Sequence, residues 1–137
     1  MNRPTAFVGA ATALLGVAML ATGAWALIAP RSFAEVVATF PPYNEHLVHD
    51  AGAFQIGIGA TTLLALAWRD ALAVVLGGYA VGGGLHVLSH VIDRDLGGRA
   101  TDPLTLAVPV LIAAVALLAR RRATRRAARG RIGSADP

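Results

Sequence analysis

The stretch "GGGLHVLSHVID", Gly82 to Asp93, sets two histidines and an aspartate inside an otherwise apolar segment. His86 and His90 are four residues apart, so a helix carries both rings on one face. A second polar group, "NEHLVHD", supplies Glu45, His46, His49 and Asp50. Neutral imidazole is a ligand for zinc, copper, iron and nickel. A transition-metal site would therefore use His49, His86 and His90. His46, Glu45, Asp50 and Asp93 would be further ligands or acceptors that orient the rings. Haem held between His49 and either His86 or His90 is a second form of the same idea. Proton or small-solute handling is a third. The remaining reading is structural: the polar groups bond to one another and to the adjoining loops, holding the mouth of a helical hairpin closed.

Familiar catalytic patterns are missing. No His-Glu-x-x-His joins His86 to His90, and the paired Glu-x-x-His of di-iron carboxylate bundles does not occur. Neither a nucleophile elbow nor a dinucleotide fingerprint is present. The glycines of "GGYAVGGG" lie within an apolar span, where packing explains them better than phosphate binding. No catalytic residue is assigned, and the chain reads as a non-enzyme.

The elements that must position these residues follow from composition. Among 137 residues, 55% are hydrophobic and only 15% are charged. A soluble domain usually carries about 25% charged residues. One small domain this poor in charge belongs in a membrane. Cysteine is absent, which removes disulfides and thiolate ligands. A bilayer core of about 30 Å takes roughly 20 apolar residues as helix. Four spans meet that length: Thr5–Ala29, Leu47–Trp68, Ala71–Ile92 and Pro103–Ala119, the last with Pro109 inside it and expected to kink there. The fold class is thus all-α, a four-helix transmembrane bundle. Arg3 and "AWA" at Ala24 to Ala26 also suit a signal peptide, but the apolar run through Ile28 is longer than an h-region, so an uncleaved span is expected.

Arginine placement orients the bundle. With four spans, Arg3, Arg69 and the seven arginines of the 120–137 tail share one side, nine of the chain's twelve. Positive charge marks the cytoplasmic side, so both termini are expected inside. The localisation expected is the bacterial cytoplasmic membrane, multi-pass. The lipid bilayer is the first partner, and the tail's charges suit anionic headgroups better than nucleic acid. The tail itself is expected to be partly disordered, from Gly130 onward.

Loop punctuation fills in the rest. Ser32 and Glu35 have capping-box spacing, predicting a short interfacial helix over Phe33–Phe40 with one apolar face. Pro41-Pro42 ends it and Asn44 caps the next helix. Arg69-Asp70 reads as a tight turn with a local charge pair, and Gln55 as an interhelical hydrogen-bond donor. Folding the chain about that turn sets His49 level with His90 and His46 level with Asp93. Gly78, Gly82, His86 and His90 form one stripe on the third span, and His49, Ala53, Gly57 and Thr61 a matching stripe on the second. Small residues on both favour contact between these helices, and each stripe also suits span one, span four or another subunit. Gly78-x-x-x-Gly82 is a close-packing spacing that also permits a homo-oligomer or a partner in a membrane complex.

In "FPPYNEHLVHDAGAFQIGIG", "WRDAL" and "LHVLSHVIDRDLGG", between Phe40 and Pro103, the chain resembles a group of small bacterial four-helix membrane proteins, distantly DoxX-like. The resemblance implies a four-span membrane fold and brings no catalytic residues with it.

Overall fold

The computed structural model describes residues 3–133. All of its regular structure is helical. Helix α1 (Arg3–Ile28) is followed by the short α2 (Pro30–Val36) and by α3 (Glu45–Ala67). A single 3₁₀ turn (Arg69–Ala71) leads into α4 (Leu72–Ile92), and α5 (Asp102–Gly133) closes the chain. Helices α1, α3, α4 and α5 are long and apolar enough to cross a membrane. Each matches one of the four spans read from the sequence.

Partner choice among the helices differs from the expected hairpin. Spatial order across the bundle is α3, α1, α5, α4, because α1 packs most extensively on α3 and α4 on α5. Helix α1 also contacts α5, whereas the consecutive helices α3 and α4 touch only lightly. Glycine explains the preference. Gly16 and Gly23 on α1 lie against Gly59 and Gly52 on α3, each pair seven residues apart in sequence. A Cβ built on Gly23 would sit 2.7 Å from the Gly52 carbonyl oxygen, and one on Gly52 2.9 Å from that of Gly23. At the other crossing a Gly59 Cβ would meet the Gly16 carbonyl oxygen at 2.8 Å. Only bare backbone fits there, and dispersion contacts between such close helices drive association within lipid.

The expected Gly78, Gly82 and Gly57 stripe is not part of this packing. A Cβ on any of the three would meet nothing within 4 Å. Gly83, one residue on, is the α4 glycine that packs, with its Cβ position 2.7 Å from a methyl of Val110 on α5. The face that α4 buries carries Leu72, Leu76 and Tyr79, not Gly78 and Gly82.

The main core lies toward the arginine end, where Val8, Ala11, Leu15, Ala65, Leu72 and Leu76 cluster with Ala113 and Ala116. Thr12 and Thr62, both buried, donate their hydroxyls to the carbonyls of Val8 and Ile58 one turn back (2.8 and 2.7 Å), so neither hydroxyl is stranded. Gln55 behaves otherwise. Its Oε1, an acceptor, is buried without a hydrogen-bond partner.

Two boundaries differ from the sequence reading. The short helix starts at Pro30, whose fixed φ suits the first turn, and ends at Val36, so Phe40 lies beyond it. Ser32 is inside that helix and accepts a hydrogen bond from the Trp25 indole (3.3 Å) instead of capping it. Helix α5 runs through Pro109 and past Ala119 to Gly133, making the arginines from Arg120 to Arg129 helical. Residues 134–137 of the tail lie outside the described residues.

The glycine crossing yields a contrast in stability. Gly23→Val should lower stability by about 1–3 kcal/mol or more, because backbone oxygen cannot move aside as a side chain can. Gly57→Ala should leave it unchanged. Reversible unfolding in mild detergent measures both, and equal effects would contradict the crossing.

Candidate functional site

Local chemistry sets the histidine end before any long-range contact. Asn44 caps α3 by accepting the Leu47 amide on its Oδ1 (3.2 Å), as its position before Glu45 predicts. Glu45 accepts the Tyr43 hydroxyl at 3.3 Å, and the Arg31 guanidinium lies 5.3 Å over the Tyr43 ring. Desolvation and the adjacent Glu45 carboxylate raise the phenol above its ordinary pKa, keeping it a donor. His46 and Asp50, one turn apart on α3, approach to 3.6 Å on the exposed surface. Half-buried His49 takes no part in these pairs.

A second, separate group forms where α4 meets α5. His86 and His90 stack edge to face with ring centroids 4.8 Å apart. His90 Nδ1 lies 3.7 Å from Asp102 Oδ2, close enough for an ion pair when protonated and too long for a hydrogen bond. Both of these side chains are only 13% exposed. His86, by contrast, is on the exposed face of α4 and does not point into the bundle. Asp93 ends α4 as its C-cap, with its amide donating to the Ser89 carbonyl (2.8 Å).

What holds this end together is a lock between the two loops. Asp102 Oδ2 accepts the Arg99 amide at 2.7 Å, and the Arg99 guanidinium donates to the Val36 carbonyl at 2.7 Å. The Gly98 amide donates to the Thr39 carbonyl at 3.0 Å. Phe40 turns inward and packs edge to face on His90, 5.2 Å between centroids. Gly97 and Gly98 adopt φ of +146° and +79°, which favour glycine. A Cβ on Gly98 would also strike the Phe40 ring at 2.9 Å. The loop after α4 is thereby clamped beneath the loop after α2.

Of the seven candidate residues, the structure pairs His46 with Asp50 and His86 with His90, leaving His49, Glu45 and Asp93 outside those pairs. Among the described residues, no three His, Asp or Glu side chains are grouped so as to hold a metal ion. The companions that His90 does acquire, Asp102, Phe40 and Arg99, are not among those candidates. "GGRATD" was the available signal: two adjacent glycines demand special backbone, and an Arg and Asp three apart beside them can close a turn.

The whole is an all-helical chain with four helices fit to cross a membrane and loops locked across one end, the build of a multi-pass membrane protein. No protein-family model, curated protein or solved structure matches the chain.

Asp102→Ala would strand the Arg99 amide and remove the partner of His90. A loss of about 1–3 kcal/mol is expected, with faster protease cleavage between residues 93 and 101. Cleavage at the wild-type rate would contradict the lock.

Proposed function

We propose that this chain is a non-enzymatic, four-span protein of a cytoplasmic membrane, serving a structural or accessory role in a larger membrane assembly. The observation that carries this reading is how the polar groups at the histidine end are used. Asp102, Arg99 and Phe40 tie loops to helix ends, and His90 is wedged between Phe40 and Asp102. Ionisable side chains at membrane depth often mark function, yet here their contacts are those of a clasp. The bare Gly78-x-x-x-Gly82 ridge, unused within the chain, supports an assembly role, since another transmembrane helix can approach it closely. The arginine-rich end faces the cytoplasm in this reading, with both termini inside and the clasp outside, because nine of twelve arginines gather there. The four-span layout and the segments between Phe40 and Pro103 also support kinship with the small bacterial, distantly DoxX-like membrane proteins.

Two measurements test this reading. The chain has no cysteine, so Ala100→Cys gives one reactive thiol, on an exposed loop residue. An impermeant thiol reagent should label it in intact cells, and labelling only after lysis would reverse the orientation. Protein purified in detergent after metal-replete expression should be stable without bound metal or haem. Stoichiometric metal, or a Soret band lost in His90→Ala, would replace the clasp with a metal or haem centre.

A further inference from the structure

The opposite end of the bundle carries a feature that the clasp does not explain. Arg69, from the turn between α3 and α4, and Arg120, from α5, border a cleft of about 220 Å³. Its floor is apolar, made by Val8 and Gly9 of α1 with Leu66 and Leu72. A Cβ on Gly9 would meet nothing within 4 Å, so the cleft reaches down to the α1 backbone. Arg120 is half-buried, and its Nη2 donates to the Arg69 carbonyl at 3.1 Å, which fixes the guanidinium at the rim.

Among the described residues, neither arginine has an acidic partner. The ion pairs among the described residues are Arg31–Glu35, His46–Asp50, His90–Asp102 and Arg94–Asp95, so the expected Arg69–Asp70 pair is not formed. A half-buried cation whose one fixed partner is a neutral carbonyl retains N–H donors for an anion. Guanidinium groups suit phosphate through parallel N–H···O bonds, and basic pockets between transmembrane helices bind anionic headgroups.

We propose that this cleft is a binding site for an anionic phospholipid. Its phosphate accepts hydrogen bonds from Arg69 and Arg120, and the start of an acyl chain lies along Val8, Gly9, Leu66 and Leu72. The apolar floor is what selects a lipid over free phosphate, which gains nothing from such a surface. Arg121, Arg122, Arg125, Arg126 and Arg129 of α5 are exposed and do not line the cleft, so they contribute general attraction without forming the site.

Native mass spectrometry of the full chain in detergent tests the site. The probes are phosphatidylglycerol, phosphatidylcholine and inorganic phosphate, each added separately, and inorganic phosphate is also added in competition with phosphatidylglycerol. One phosphatidylglycerol per chain should survive activation, while phosphatidylcholine is lost and inorganic phosphate does not compete. Arg69→Gln and Arg120→Gln should each weaken retention about fivefold, the effect of about 1 kcal/mol per arginine. Gly9→Leu keeps every charge, fills the floor and should also release the lipid, whereas Arg125→Gln should retain it. Equal retention of phosphatidylcholine would overturn the proposal. So would displacement by inorganic phosphate, wild-type retention in Gly9→Leu, or an Arg125→Gln loss equal to that of Arg120→Gln. If Arg120→Gln fails to fold, Gly9→Leu and Arg69→Gln decide the matter alone.

Discussion

Backbone-to-backbone approach of α1 and α3 governs the rest of the molecule. Gly16 faces Gly59 and Gly23 faces Gly52, so the carbonyl oxygens of these four glycines fill the space where side chains would otherwise stand. In a bilayer, water expulsion does not favour one apolar helix contact over another, so fit decides which helices pair. The glycine seam gives α1 and α3 the closest fit available. With α3 on one side of it, α1 offers its other side to α5, and α4 follows α5 through Gly83 and Val110. The light contact between α3 and α4 is a consequence of this order.

That order also divides the polar residues. Glu45, His46, His49 and Asp50 stay with α3, while His86 and His90 travel with α4 toward α5. His90 therefore meets Asp102, at the start of α5, and Phe40, from the loop that crosses above it. Loop closure follows from the same geometry, since Arg99 can then reach the Val36 carbonyl. At the far end, α1, α5 and the turn after α3 converge without filling the space between them, and Arg69 and Arg120 border the gap. Two ends of one bundle thus carry different chemistry, a clasp at one and an arginine rim at the other.

Much of the architecture was readable from the chain itself. Apolar runs of bilayer length gave four spans, "YNEH" gave the Asn44 cap, and Arg69-Asp70 gave the turn. Helix pairing was not readable in the same way. Gly78-x-x-x-Gly82 is the better-known spacing, yet Gly16 and Gly23 opposite Gly52 and Gly59 make the contact. Periodicity shows which residues share a face, whereas the partner depends on complementarity between two faces at once. Phe40 illustrates the second limit: it looked like the end of an amphipathic helix, but its place is set by Gly98 and His90, far along the chain. The early stop of α2 at Val36 frees it to reach them.

Through-space NMR on protein labelled at glycine and reconstituted in lipid addresses the helix order most directly. The chain has 15 glycines, few enough to assign. The glycine seam predicts cross-peaks joining Gly16 to Gly59 and Gly23 to Gly52. Cross-peaks joining Gly57 to Gly78 or Gly82, with the first two absent, would contradict it and restore a bundle built on α3 against α4.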